Sequence, residues 1–534
     1  MPLNNKLEPN ENEKFIVHPY ITKNKVEKRL YQELLTAEAI TQSTLVVAPT
    51  GLGKTIVAVL LIAFTYDSSK SILLLAPTKP LISQHKKSLD KLLTIEQENM
   101  ILLTGEITPA KREQIYLQKG LIICATPQTI ANDIDNGLLR EKDFNLIIFD
   151  EAHRAVGDYS YTKVSNFFPE NTKRLGLTAS PGGEKKKIRE VADNLKISHV
   201  EIRTENDIDV KDYINETEIE IIFTELDSFS RKLVVLIDEF IEQKISVLRK
   251  LNFPIGKNYT KKQIIMLQAQ VIARLSKSKN NMNFLALSFT ACILKMYHAK
   301  ELIETQGIIP FKNYIYKLEA EGTEKKRTKA LSQVLGSKEF IEIRKVLNST
   351  ILENQVYSKE AKLIEISNLF LEENKSSKIL VFTNFRDNAS HLVTVLNRNK
   401  KIKATKFVGQ ANKENDAGLS QKEQMETISK FKEGEYNILV CTSVGEEGLD
   451  IPSVDLVVFY DAVASEIRSI QRRGRTGRFN VGKVVLILNK DTLDEHYYYV
   501  SENKEKKMKR TLKNFNLNEP IKKKKTQKSL IDFK

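Results

Sequence analysis

Cysteine is scarce in this chain. Its 534 residues include three, Cys124, Cys292 and Cys441, far apart and without a C-x-x-C pair. That excludes a disulfide scaffold and gives no structural zinc site, leaving the isolated reduced thiols of an intracellular protein. Long apolar runs are missing too. The longest, residues 56–64, is about half of the roughly 20 residues a membrane span needs. The opening stretch MPLNNKLEPNENEK is polar and acidic, unlike a signal peptide. No internal repeat of solenoid period is present. The expectation is a soluble, cytoplasmic protein with no membrane contact.

What is present is the composition of a globular protein, with 41% hydrophobic and 28% charged residues. At roughly 150 residues per domain, the length suggests three to four domains. Wholesale disorder, collagen and a coiled coil are excluded. Lys and Arg number 83 against 68 Asp and Glu, a net charge of +15, and the excess is uneven. Residues 241–330 carry +11 (17 basic, 6 acidic) and residues 501–534 carry +8 (12 basic, 4 acidic), while the remainder is nearly neutral at −4. A basic surface attracts polyanions through counterion release and steering. Solvated lysines on helix faces explain the 501–534 excess equally well. For residues 241–330 the polyanion reading is favoured, because the chemistry on either side needs a polymer track.

Short apolar runs at residues 44–47, 71–75, 121–124, 146–149 and 174–177 read as buried strands, each followed by a turn and a longer segment. This is the rhythm of a parallel sheet with helices on both faces. A second such series lies at 378–382, 404–408, 437–441, 456–460 and 483–488. Between them, residues 230–251 and 261–276 place apolar side chains at i, i+3, i+4 spacing, as amphipathic helices do. The expected organisation is therefore α/β with two parallel-sheet lobes and an all-α insertion. A loose arm spans 1–14, lobe 1 spans 15–209, the basic insertion 210–350, lobe 2 351–500, and a basic tail 501–534.

The sharpest motif is Ala48-Pro49-Thr50-Gly51-Leu52-Gly53-Lys54-Thr55, between a strand and a helical run. Strand, glycine loop and helix in this order make a phosphate cradle. Gly51 and Gly53 allow the tight turn that points Thr50–Gly53 backbone N–H groups inward, and the helix start adds positive potential. Lys54 would reach the β- and γ-phosphates of ATP, and the Thr55 hydroxyl would ligate Mg²⁺. Ala48 stands where a first glycine is usual. Some 95 residues on, an apolar run delivers Asp150 and Glu151 to a strand end, where ligands bind in open α/β sheets. Alone, such a pair is an ordinary solvated strand end. Beside a phosphate loop, Asp150 is placed to hold Mg²⁺ and Glu151 to orient or deprotonate water.

Asp150-Glu151-Ala152-His153 together with the phosphate loop resembles a superfamily 2 helicase. Further blocks match in order: Arg29-Leu30-Tyr31-Gln32, Ala76-Pro77-Thr78-Lys79-Pro80, Ala125-Thr126-Pro127-Gln128, Thr178-Ala179-Ser180, Phe382-Thr383-Asn384-Phe385-Arg386, residues 442–450, and Gln471-Arg472-Arg473-Gly474-Arg475-Thr476-Gly477-Arg478. The resemblance implies two RecA-like lobes. It implies that Gln32 reads adenine, that Thr178 and Ser180 couple hydrolysis to lobe movement, and that Asp450 meets the ribose. It also implies that Gln471, Arg475 and Arg478 complete the site from the second lobe, the two arginines meeting the γ-phosphate. The resemblance further implies that the strand-end loops Ala76–Pro80, Ala125–Gln128 and Phe382–Arg386 touch the track.

The runs Thr50–Thr55, Val444–Asp450 and Ser465–Gln471, together with the helical insertion, closely resemble the archaeal Hef helicases, relatives of the FANCM and Mph1 repair translocases, and the resemblance spans about residues 15–510. That implies a thumb-like insertion gripping DNA, and ATP-driven action on forked or branched DNA. Relatives often carry an XPF-type nuclease after the helicase. No Glu-Arg-Lys nuclease signature stands in this tail, so the expectation is a separate nuclease partner. RIG-I and Dicer relatives share these motors and also carry helical insertions, so a duplex-RNA helicase is the alternative. A scaffold without motor activity is disfavoured by the presence of Lys54, Asp150, Glu151, Arg475 and Arg478.

The tail ends Gln527-Lys528-Ser529-Leu530-Ile531-Asp532-Phe533-Lys534. Gln527, Leu530 and Phe533 resemble a motif that docks on the sliding clamp PCNA. A 3₁₀-like turn would put Leu530 and Phe533 on one side. Lys534 stands where that pattern usually has a second aromatic. His85, His199 and His298 have no ligand partners at metal spacing and read as surface or packing residues. Phe382, Phe385 and Phe407 read as core, with Phe385 the one nearest the expected track.

Overall fold

The computed structural model describes residues 14–140, 143–213, 218–256, 259–277, 280–323, 327–349, 356–410, 418–442, 451–452, 454–462, 482–513, 515 and 517. Thirteen strands are described: β1 (Thr44–Val47), β2 (Ser71–Leu75), β3 (Met100–Leu103), β4 (Ile122–Ala125), β5 (Phe144–Phe149), β6 (Lys173–Thr178), β7 (His199–Ile202), β8 (Glu218–Thr224), β9 (Ile379–Phe382), β10 (Ala404–Phe407), β11 (Ile438–Cys441), β12 (Leu456–Phe459) and β13 (Lys483–Asn489). They form two sheets, ordered β3-β4-β2-β5-β6-β1-β7 and β10-β11-β9-β12-β13-β8. Every pairing is parallel.

The central strands are mostly apolar because both faces are covered. In the first sheet, Val46, Ile72, Leu74, Ile122 and Ile148 face one core, built with the helices Leu30–Thr41, Lys54–Thr65 and Lys79–Leu92. Leu45, Val47, Leu73, Ile123 and Ile147 face the opposite core, with Tyr161, Val164, Ile188 and Val191. The period-2 alternation of the strands thus divides one apolar run between two cores.

Three strands escape the sequence reading. β3 and β7 are short sheet edges; His199 and Glu201 interrupt β7, while β3 is a run of only four apolar residues, Met100–Leu103. β8 falls within residues 210–350, expected to be helical, yet it pairs with β13 along seven residues. Its alternating Glu218 and Glu220 hide it, and both lie within salt-bridge distance of Lys483, at 3.6 and 2.8 Å. The chain therefore enters the second sheet before the helical region begins.

That region holds long helices Ser228–Lys250, Lys261–Lys277 and Asn281–Glu301 around a core of Leu233, Ile237, Phe240, Ile293 and Phe311. Asp227 caps the first helix, accepting from Ser230 N at 2.8 Å. Part of its basic excess is spent internally, in Lys261–Glu301 (2.6 Å) and Lys300–Asp238 (2.7 Å) ion pairs.

A buried π-helical turn, Leu302–Gln306, joins this region to the second lobe. Gln306 donates to Asp461 and accepts from Thr383 Oγ1 (2.9 Å) and Asn388 Nδ2 (3.0 Å). Beside it, fully buried Lys359 and Asp494 pair at 2.7 Å.

The helix Leu493–Lys513 starts at this joint and ends on the other lobe, where Met508 and Leu512 enter the first lobe's core. Residues 501–513, expected as part of a basic tail, are thus a packed helix. No helix among the described residues is long and apolar enough to cross a membrane.

Candidate nucleotide-hydrolysis site

β1, β5 and β6 lie side by side, and their carboxyl ends gather the first-lobe site residues. After β1 the chain turns through Thr50–Gly53 into the helix Lys54–Thr65. Gly51 and Gly53 adopt left-handed geometry, φ +91° and +64°. The left-handed φ would strain any side chain at Gly53, whose Cβ would also sit 2.9 Å from Gln32 Nε2 and push that amide aside. No side chain caps the helix start. Lys54 Nζ donates to the carbonyls of Ala48 (2.9 Å) and Pro49 (3.1 Å), and Thr55 is half-buried beside it. Gln32 and Tyr31, both buried, donate to Leu52 O at 3.1 and 2.9 Å and brace the loop from behind.

Asp150 extends β5, its N–H donating to Leu75 O at 2.9 Å. Tyr161 donates to its carbonyl at 2.5 Å. Its carboxylate lies 2.7 Å from His85 Nε2. Burial opposes ionisation of Asp150, but His85 and the Lys54 charge outweigh it, so its pKa lies below the ordinary carboxylate value. An ionised carboxylate only accepts, so His85 Nε2–H is the donor.

Glu151 holds a left-handed backbone, φ +49°, uncommon for a residue with a side chain. Its Oε2 is buried, 3.2 Å from His153 Nδ1, and makes no hydrogen bond among the described residues. His153 Nδ1 also lies 3.1 Å from Thr178 Oγ1, which accepts from Ser180 N at 3.2 Å. The Ser180 hydroxyl in turn donates to Met508 Sδ at 3.1 Å. A chain of contacts therefore runs from Glu151 to the helix that begins on the second lobe.

These residues fit a Mg²⁺–nucleotide. Thr55 and Asp150 are oxygen ligands of the kind a hard cation takes, and the unbonded Glu151 oxygen is an acceptor awaiting a donor.

Gln32, Thr50, Gly51, Gly53, Lys54, Thr55, Asp150, Glu151, Thr178 and Ser180 are thus brought to one sheet edge. Asp450, Gln471, Arg475 and Arg478 lie outside the described residues, as do Gln527, Leu530 and Phe533. Phe382 and Phe407 are fully buried core, while Phe385 packs against the helical region, its ring 6.1 Å from His298.

The sequence marks His85 only as a packing or surface residue, whereas it is buried with its Nε2 2.7 Å from the Asp150 carboxylate. Nothing in a lone histidine 65 positions upstream announces this. Tyr161 and Met508 were also unforeseen, because an aromatic and a methionine at helical spacing read as core.

Two parallel-sheet lobes, a phosphate loop followed by an Asp-Glu strand end, and a helical region between the lobes define a superfamily 2 helicase architecture. Family models agree along the chain. "Type III restriction enzyme, res subunit" matches residues 21–183, "Putative ATP-dependent RNA helicase, helical bundle" residues 230–352, and "Helicase conserved C-terminal domain" residues 359–480. The crystal structure of the Pyrococcus furiosus Hef helicase domain is 38% identical, with a TM-score of 0.67, covering 89% of this chain and 98% of that one. The chain belongs to the Hef/Mph1 family of superfamily 2 helicases, ATP-hydrolysing enzymes.

The "Putative ATP-dependent RNA helicase MJ1505" of Methanocaldococcus jannaschii is 41% identical over 503 residues, 94% of this chain and 62% of that protein. The ATP-dependent DNA helicase MPH1 of Pyricularia oryzae is 36% identical over 499 residues, 90% of this chain and 45% of that protein. The chain thus spans about half to two thirds of these relatives. Saccharomyces cerevisiae Dbp5 bound to RNA and ADP BeF3 shares the fold alone, at 14% identity and a TM-score of 0.52, covering 91% of this chain and 88% of that one.

Proposed function

We propose that this chain is an ATP-driven DNA motor acting on forked or branched DNA in replication-fork repair. The observation that carries this reading is the meeting of Lys54, Asp150 and Glu151 at one sheet edge, with Glu151 linked through His153, Thr178 and Ser180 to a helix from the second lobe. Lys54 holds the β- and γ-phosphates, and Gln32 reads the adenine. Thr55 and Asp150 hold Mg²⁺, which when bound neutralises phosphate charge. Glu151 orients the attacking water and accepts its proton. Arg475 and Arg478 stabilise charge on the transferring phosphoryl group, Gln471 supports them, and Asp450 meets the ribose. With the two sets on different lobes, hydrolysis is fast only when the lobes close, which ties it to movement along the track.

Glu151→Gln is expected to keep ATP binding while reducing turnover by about 10²–10⁴-fold, the usual contribution of a positioned base. Binding of a fluorescent ATP analogue beside steady-state hydrolysis checks it. Neutralising exposed Lys250, Lys262 and Lys277 is expected to weaken DNA binding and flatten its salt slope by about 0.9 per lost phosphate contact. Binding isotherms from low to high salt measure this.

Two named matches favour a second reading, a duplex-RNA helicase. ATPase stimulation by forked DNA, linear duplex DNA and duplex RNA at fixed salt decides between them. Stronger stimulation by RNA overturns the DNA assignment.

We further infer that Gln527, Leu530 and Phe533 dock on the PCNA clamp. A pull-down on PCNA is expected to lose the chain on Phe533→Ala, and equal retention removes the idea.

A further inference from the structure

The helix Lys79–Leu92 begins at a surface loop and carries a buried histidine at its middle. Its first turn follows directly from Ala76–Thr78, the loop expected to touch the track. Thr78 Oγ1 accepts from Leu81 N at 3.4 Å, and Lys79, over a third exposed, pairs with exposed Glu106 at 2.9 Å. At 1.5 Å per residue, His85 lies only about 9 Å further along the axis.

Ile82, His85 and Leu89 form the helix's buried face. An apolar residue at position 85 would continue that stripe. Instead an imidazole is buried there, 6% exposed, with Asp150 Oδ2 at 2.7 Å as its partner. Burying an imidazole beside a carboxylate is costly unless the bond is well made. One bond at this distance also restricts rotation of the carboxylate, and partners of this kind orient metal ligands.

We propose that His85 is a positioning residue for the Asp150 carboxylate, and that it makes the placement of Asp150 depend on the helix whose first turn leaves the track-contact loop. The inference rests on the reading of Asp150 as a Mg²⁺ ligand. A polynucleotide that shifts Ala76–Lys79 moves this helix as a rigid rod. Because His85 is on the same rod, the carboxylate follows. This gives the track a route into the nucleotide site within the first lobe, separate from lobe closure.

The test compares His85→Leu, which packs but cannot donate, with His85→Gln, whose amide can. Binding of a fluorescent ATP analogue is titrated with Mg²⁺ in the absence of turnover, and ATPase is then measured with and without forked DNA. His85→Leu is expected to raise the half-saturating Mg²⁺ about 10–100-fold. It should also lower the ratio of DNA-stimulated to unstimulated turnover, and His85→Gln should recover most of both.

His85→Ala carries the same expectation if the leucine prevents folding. A wild-type Mg²⁺ response and stimulation ratio in the variants without a donor overturns the inference, as does equal impairment of the glutamine variant. Asp150→Ala separates the two levels. If it abolishes the Mg²⁺ response while His85→Leu matches wild type, only the role of His85 falls. If Asp150→Ala keeps the response, the site reading falls with it.

Discussion

Lys54→Ala is expected to leave the fold intact and to reduce ATP turnover to background, a fall of at least about 10²–10³-fold. The side chain sits at the first position of a helix whose apolar Val57–Ala63 stretch is buried, and alanine is the best helix former. What is removed from the fold includes two charge-assisted hydrogen bonds to loop carbonyls, at about 1.5–3 kcal/mol each. What is removed from the site is the ammonium that meets phosphate charge. Thermal unfolding beside steady-state hydrolysis with saturating forked DNA separates the two. Turnover surviving in a folded variant would contradict the role assigned to the loop.

Arg475→Ala and Arg478→Ala are each expected to lower kcat by about 10³-fold or more while changing the ATP KM little. Their guanidiniums are assigned to charge that develops on the phosphoryl group as it transfers, so they add little to ground-state binding. The split between kcat and KM is the readout. A raised KM with unchanged kcat would mean that these residues hold nucleotide. An unchanged ATPase with weakened DNA affinity would mean that they hold the track. The first outcome would remove their transition-state role, and the second would break the proposed division of one active site between two lobes. Because Lys54 is on lobe 1, the two substitutions also test opposite sides of the same nucleotide.

The phosphate loop was legible because everything it needs is local. Gly51 and Gly53 adopt backbone angles that side chains disfavour, and the strand before and the helix after are periodic in the sequence itself. Asp150 and Glu151 were legible because a fully buried parallel strand reads as an unbroken apolar run, so its end stands out. The helical region was legible from 3.6-residue periodicity. β8 was not: Glu218 and Glu220 interrupt its apolar run, and its partner β13 is more than 250 residues away.

By itself, then, the sequence determined the two parallel-sheet lobes, the helices between them and the first-lobe chemical groups. Each of these rests on a repeating pattern or on backbone angles set by neighbours in the chain. Only the tertiary structure decided which groups touch: His85 on Asp150, Ser180 on Met508 across 328 positions, and Gln306 on Thr383 and Asp461 at the joint of the helical region. Such contacts depend on how whole helices cross and pack. A single polar side chain on a buried face leaves no periodic trace of the partner it will meet.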